Sequence, residues 1–429
     1  MIGEALSAHQ WVVFSIFIVG YLCIVFEHVI KVNKTTTALL MASFCWIAHF
    51  LGPIPFFEDL RVFSKGLAET SEVVFFLLGA LAIVESIHAH GSLNLICSLM
   101  RVSSKKAALW LVAIVSFFLS SVLDNLTSTV VMVVLLRKLV HDYEDRIVFG
   151  SVVVMAANAG GVWTPMGDVT TTMLWVKGKV TSGGVVQSLF FPSLACLVGS
   201  VAVAGRSING VLQRPEDCSF EVQPHAKEVL IFGLLALVAV PVLKCTTGLP
   251  PFLGILTALS SVWLFTDYIH RGHPDRSKLH MTAVFPYIDI VSLLFFLGIL
   301  LAVNVLQVAG ILTYLANSID AVVATKEAMA ILMGLLSAVV DNVPLVAAAM
   351  GMYDLSVYPV DSCFWKLIAY CAGTGGSILI IGSAAGIAFM GLERVKFFWY
   401  VRKASLAALC GYFTGIGFYL VQQSIFGGV

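Results

Sequence analysis

The chain has 429 residues, of which 59% are hydrophobic and 12% charged, and its formal net charge is zero. Apolar runs that repeatedly reach the roughly 20 residues of a bilayer span make it a polytopic membrane protein, and so balanced a charge points to no nucleic-acid or polyanion partner. No Walker phrase, no nucleophile beside a base and no soluble domain can be found, so nothing supports an enzyme. The nine cysteines form no C-x-x-C pair and sit near no His cluster, which reads as inert buried thiols. The N-terminus shows neither a signal nor a transit peptide, so the first span is expected to be retained.

In chain order, windows of about 19 residues place ten crossings, at 11–30, 35–51, 73–90, 147–176, 187–204, 229–243, 251–269, 288–315, 367–392 and 404–421. Two further apolar segments are interrupted by acids: 107–136 by Asp124-Asn125 and 328–353 by Asp341-Asn342. At about 1.5 Å per residue their arms are too short to cross ~30 Å of hydrocarbon singly. Both read as re-entrant hairpins whose tips carry the acid, and an intramembrane carboxylate is a functional-site hypothesis by default.

The tips match each other. Ser121-Val122-Leu123-Asp124-Asn125-Leu126-Thr127 recurs as Ala338-Val339-Val340-Asp341-Asn342-Val343-Pro344, 217 residues on (341 − 124). By similar offsets Gly79, Glu85 and Gly91 fall on Gly298, Asn304 and Gly310, while Gly160-Gly161 and Gly167 fall on Gly375-Gly376 and Gly382. The chain therefore divides into a first repeat, 1–208, a polar linker, 209–227, and a second repeat, 228–429. Five crossings per repeat, an odd number, turn the second copy upside down, as in inverted-repeat secondary transporters. Loops on one side carry 18 of the Lys and Arg residues and those on the other carry 7, so the basic side, with the linker, is expected in the cytoplasm and both termini outside. The first hairpin then enters from the cytoplasm and the second from the opposite face.

Two crossings are themselves broken. A half-helix over 147–158 is followed by an unwound stretch, 159–168, ending in Asp168, and then by a second half-helix with Thr170 and Thr171; the counterpart runs through Gly373-Thr374-Gly375-Gly376-Ser377 to Ser383. Unwound backbone at bilayer depth survives only where protein or a watery cavity satisfies it. Its carbonyls, with Asp, Asn, Thr and Ser oxygens, form a hard-oxygen cage suited to an alkali cation, whereas a soft metal would want Cys and His. The plainer alternatives are that the glycines only pack helices closely and that Asp124 and Asp341 only cap half-helices. Asn125 and Asn342 are either tip hydrogen-bond partners or ligands. Glu85 is either a proton-path carboxylate or a snorkelling side chain, and His88 and His90 read as solvated helix caps rather than pH sensors.

The phrases 156–172, 341–348 and 373–386, which run through both halves, closely resemble the NhaD-type sodium/proton antiporters, within the wider ion transporter superfamily. The resemblance implies exchange of cytoplasmic Na+, and usually Li+, for external protons across a bacterial cytoplasmic membrane, with no cofactor and a homodimer as one assembly. By position it carries a functional role to Asp124, Thr127, Asn158, Asp168, Thr170, Thr171, Ser337, Asp341, Asn342, Ser377 and Ser383. Dicarboxylate carriers of the superfamily have Ser-Asn-Thr at both tips; the Asp-Asn here argues for a cation. The rivals are an arsenite-type anion or metalloid permease of the same fold and, from another class, a channel. The repeat is also uneven, since Asp168 and Glu85 fall on the neutral Ser383 and Asn304. The principal Na+ site is therefore expected at Asp124, Asn158 and Asp168, with Asp341 in a supporting or proton-handling role.

Overall fold

The computed structural model describes residues 6–53, 55–92, 104–208, 210–211, 223–320, 323 and 325–426. Residues 209 and 212–222 of the expected linker, and 101–103 of one basic loop, lie outside the described residues. Among the described residues the chain is all helical apart from one isolated bridge, Ser104 with Val211. Short connecting helices aside, the first repeat comprises α1 (Ala8–Val25), α2 (Lys34–Phe50), α3 (Phe56–Ala89), α4 (Lys105–Ser120), α5 (Asn125–Leu139), α6 (Tyr143–Gly161), α7 (Val169–Val176) and α8 (Ser182–Ala204). The second comprises α9 (Ala226–Thr247), α10 (Pro251–Ile269), α11 (Ile290–Val308), α12 (Lys326–Leu336), α13 (Asn342–Met352), α14 (Cys363–Gly375), α15 (Ala384–Glu393) and α16 (Ser405–Phe426).

Adding eight to a helix number gives its counterpart, and the packing obeys the same rule. α1 packs on α2 as α9 packs on α10, α4 on α6 as α12 on α14, and α5 on α15 as α13 on α7, while α8 and α16 pack on each other. Among the described residues seven helices (α1, α3, α8, α9, α10, α11 and α16) are long and apolar enough to cross a membrane singly. With the slightly shorter α2 and the two broken crossings, α6–α7 and α14–α15, they make the ten expected. Large apolar side chains such as Phe44, Ile47, Leu235, Val242, Leu264 and Phe413 are exposed along these helices, which suits a surface solvated by lipid and not by water.

The hairpins form as the arms predict. α4 and α5 meet at 121–124, and α12 and α13 meet at 337–341. Pro344 lies in the first turn of α13, where a missing N–H costs no hydrogen bond. Three boundaries differ from expectation. α3 begins 17 residues before the expected span at 73 (73 − 56), because Glu58, Asp59, Arg61, Lys65, Glu69 and Glu72 depress the hydropathy of an amphipathic stretch. The segment 288–315 is two helices, since α11 stops before Gly310, whose φ of 74° ends a right-handed helix. Most relevant to the site, the helices of the broken crossings run through Gly160-Gly161 and Gly375, so the unwound stretches are 162–168 and 376–383, beginning later than expected.

The glycines have another use. A Cβ on Gly160 would collide with the carbonyl of Phe117 in α4, and one on Gly375 with the carbonyl of Gly334 in α12. Each hairpin is thereby seated directly against the last turn before a break. Two serines fasten the same contact: Ser120 Oγ donates to the Ala157 carbonyl (2.7 Å) and Ser337 Oγ to the Ala372 carbonyl (2.8 Å). α6 ends at Gly161, and Thr164-Pro165 holds the unwound stretch that follows: Pro165 lacks a helical N–H, while Thr164 donates to the Ser121 carbonyl (2.5 Å) and accepts from Gly167 N–H (3.1 Å).

Candidate ion-binding site between the two breaks

Four half-helices begin at the centre of the molecule, and each N-terminus is capped by a predicted site residue. Asp124 caps α5, accepting from Thr127 N–H (2.8 Å) and Thr127 Oγ1 (2.6 Å) on its two oxygens. Asp168 caps α7, with Oδ1 accepting from Thr170 N–H (2.9 Å) and Thr170 Oγ1 (3.0 Å). Asp341 caps α13 through Val343 N–H (3.2 Å), and Ser383 caps α15 through Gly386 N–H (3.2 Å). Helix N-termini carry about half a positive charge each, so they stabilise the carboxylates that cap them.

Asp168 Oδ2 is not used by its cap, and the rest of the site surrounds it. Asn125 Nδ2 donates to Asn158 Oδ1 (2.9 Å) and, at 3.4 Å, to Asp168 Oδ2. Asn158 Nδ2 in turn donates to Ser377 Oγ (2.8 Å) and Ser383 Oγ (3.0 Å). All five residues are at most 5% exposed. The chain Ser377/Ser383–Asn158–Asn125–Asp168 thus spans both breaks and the first hairpin tip, and both tip carboxylates, Asp124 and Asp341, lie close enough to act electrostatically on Asp168. The amide nitrogen of Asn125 lies between two oxygen acceptors, an arrangement that a small cation could take over once the amide turns its own oxygen inward.

Several predicted residues stand elsewhere. Asp124 hydrogen-bonds Thr127 and not Asn158 or Asp168; its neighbour Asn125 bonds both of them. Ser337 Oγ donates to the Ala372 carbonyl, seating the hairpin, and makes no hydrogen bond to the polar network. Thr171 points back to the Val162 carbonyl (3.4 Å), bracing the break. Asn342 is buried at the second tip, the counterpart of Asn125. Glu85 pairs with His88 at 3.3 Å, both partly exposed, and does not join the cluster. His90 is no solvated cap: it is fully buried, its Nδ1 donating to the Ser86 carbonyl (2.6 Å) and its Nε2 facing His270 Nε2 (2.9 Å). Burial, followed by the neighbouring His90, pushes the His270 imidazole down to about 4.

A residue that the motifs do not announce stands at the second tip. Lys34, the first residue of α2, places Nζ 3.5 Å from Asp341 Oδ2. Its one sequence signal is its position, since a lysine in the first turn opposes the helix dipole. Each tip opens on a small recess. The one at Asp124, lined also by Phe76, Val84, Met166 and Leu237, has a volume of about 70 Å³, and the one at Asp341, lined also by Tyr21, Glu27 and Lys34, about 50 Å³.

Residues 21–366 match the model of the citrate transporter family, CitMHS. The chain is 48% identical over 434 residues to "Sodium/proton antiporter 1" of Arabidopsis thaliana, an alignment covering 99% of this chain and 75% of that protein. The chain belongs to the NhaD-type sodium/proton antiporters. The Na+/H+ antiporter NhaD of Alkalimonas amylolytica is 29% identical over 96% of this chain and 90% of its own. A crystal structure of the YdaH transporter of Alcanivorax borkumensis superposes with a TM-score of 0.56 at 13% identity, covering 98% of this chain and 99% of that one, which establishes the fold alone. An NhaD-type antiporter is a transporter and not an enzyme, and with its ten crossings this one is a multi-pass membrane protein that exchanges sodium for protons.

Proposed function

We propose that this antiporter binds Na+ or H+ alternately at one buried locus centred on Asp168, with Asn158, Asn125, Ser377 and Ser383 supplying neutral oxygens and Asp124 a nearby charge. The observation that carries the reading is the single carboxylate oxygen, Asp168 Oδ2, that no helix cap consumes within a five-residue buried polar network. Desolvation favours the neutral acid and a neighbouring cation favours the charged one, so Na+ entry expels a proton and proton entry expels Na+. Movement of the paired hairpins and breaks relative to the surrounding helices would then present the locus to alternate faces. With the basic loops in the cytoplasm, an inward proton gradient drives Na+, and Li+ by the same oxygen chemistry, outward. The bacterial cytoplasmic membrane expected from the sequence stands beside a plant setting, since the Arabidopsis relative is the more similar of the two.

The family model's description raises a second reading, carriage of a carboxylate. Its chemistry does not suit this centre. Three acids occupy three of the four helix N-termini that would otherwise attract an anion. The recesses at the tips hold a few waters or one partly hydrated ion, far below the several hundred Å³ of an organic-ligand pocket. A wider cleft of about 510 Å³ beside the first break is lined by Trp163, Pro165, Pro241 and other uncharged residues, with no basic side chain. The test is Na+-induced dequenching of a pH dye in everted vesicles, with and without an imposed voltage. Dequenching by Na+ and Li+, unaffected by citrate or arsenite, supports the reading, and a response to the anions alone contradicts it.

A further inference from the structure

The asymmetry between the two tips has a physical cause outside the matched motifs. Lys34 comes from α2, in the first repeat, and reaches across to the second hairpin, where its ammonium lies 3.5 Å from Asp341 Oδ2 and 4.6 Å above the ring of Phe295. The side chains of the pair are 24% and 17% exposed, so the contact is largely withdrawn from water. The equivalent of Lys34 is the first residue of α10, which is Pro251, so that position supplies the first hairpin with no cation. Among the described residues no Lys or Arg lies within ion-pair distance of Asp124 or Asp168. A lysine in the first turn of α2 is disfavoured by that helix's own dipole, and Asn33 already caps the helix through Thr35 N–H (2.8 Å). The lysine therefore gains nothing locally from its place; what it meets there is Asp341, with the Phe295 face as a second seat for its charge.

We propose that Lys34 is a tethered counter-cation that occupies Asp341 and so excludes Na+ from the second hairpin, confining the transported ion to the first-repeat side of the site. The role is one of specificity between two half-sites of the same design: a covalently held ammonium has a high effective concentration at Asp341, and a Na+ arriving there must both shed water and displace it. Without Lys34 the recess at Asp341 would offer a carboxylate, a helix N-terminus and room for a small hydrated ion, much as the recess at Asp124 does.

This inference rests on the proposed Na+ locus at Asp168, and the two can be tested apart. Equilibrium binding of radioactive Na+ to purified, detergent-solubilised antiporter at pH 8.5 reads the number of ions per chain. The wild-type protein should bind one, and Asp168→Asn none; one ion retained in Asp168→Asn overturns the locus but leaves the role of Lys34 open to the next comparison. Lys34→Met should bind one ion more than the wild type, Lys34→Arg the same as the wild type, and Lys34→Met with Asp341→Asn should lose the extra ion. No additional ion in a folded Lys34→Met, or an additional ion that survives Asp341→Asn, overturns the proposal. Asp341→Asn with Lys34 intact provides an arm that does not need the lysine variant to fold: it should still bind one Na+, and loss of that ion shows Asp341 to be a ligand and overturns the exclusion.

Discussion

At the first hairpin tip Asp124 gives both carboxylate oxygens to Thr127 and faces a recess that no described Lys or Arg lines, whereas at the second Asp341 caps α13 with one oxygen and meets Lys34 with the other. The breaks behind them differ in the same direction: α7 is capped by an acid, Asp168, and α15 by a neutral hydroxyl, Ser383. The scaffold is matched down to the serine that seats each hairpin, while the carboxylates at the site that no described Lys or Arg pairs, Asp124 and Asp168, both belong to the first repeat. Matched scaffolding is what two opposed half-channels need to move alike, and unmatched charge is what places the ion on one side of the centre.

The largest effect should come from Asp168→Asn. Asparagine can still cap α7, so the fold persists, but the charge that offsets dehydration of Na+ is gone. Removing one partner of a buried ionic contact costs about 3 to 5 kcal/mol, so Na+-driven dequenching should fall by about 100-fold or more; exchange within threefold of wild type would break the comparison at its centre. Next come the tip acids, which should separate. Asp124→Asn should weaken apparent Na+ affinity by roughly tenfold, about 1.4 kcal/mol, less than the loss of a directly contacting charge because Asp124 acts from beside the network. Asp341→Asn should slow exchange while leaving equilibrium Na+ binding intact, because Lys34 rather than Na+ is its partner. Equal losses of Na+ binding from the two would remove the electrical distinction between the tips.

Smaller effects test the matched half of the comparison. Ser120→Ala and Ser337→Ala each remove one side-chain hydrogen bond to a break and should lower thermal stability by about 1 kcal/mol apiece, with no change in Na+ affinity; a selective loss of affinity in Ser337→Ala would return that residue to the ion site. Smallest in its effect on exchange is a pH effect at the end of α10. The folded His270 lies at about 4, below the ordinary value near 6.5, so its neutral form is the one compatible with the fold. Stability should be full above about pH 6.5 and decline as pH falls toward 4. His270→Gln should flatten that acid slope in a melting series without altering exchange between pH 7 and 9, and a shifted exchange optimum would make the His90–His270 pair a regulator.

Much of this was legible in the chain. The hairpins follow from Asp-Asn phrases inside apolar runs too short to cross twice, and Asp168, Asn158, Ser377 and Ser383 follow from two breaks in register; the structure does bring these four together. What the pattern could not provide is which oxygen each side chain spends. Ser337 and Ser377 look alike in the sequence, but Ser337 donates to the Ala372 carbonyl while Ser377 accepts from Asn158. Glu85 sits in an apolar run yet points to His88, because one step along a helix turns a side chain by about 100°. The extent of α3 was hidden by its charges, and Gly160-Gly161 resembled an unwinding signal when it serves close packing. Lys34 counted only as one more basic loop residue, since a contact between residues 34 and 341 has no trace in local sequence.

Whether one carboxylate at the first break makes the principal Na+ site is decided by the equivalent caps of the two breaks. Asp168→Ser and Ser383→Ala are assayed side by side in everted vesicles for apparent Na+ affinity at fixed pH and equal expression. Ser383→Ala loses a cap worth about 1 kcal/mol and one acceptor for Asn158, so its affinity should drop by about fivefold, while Asp168→Ser should drop by about 100-fold or more. Equal losses, or a larger one from Ser383→Ala, would contradict the account and favour two equivalent half-sites.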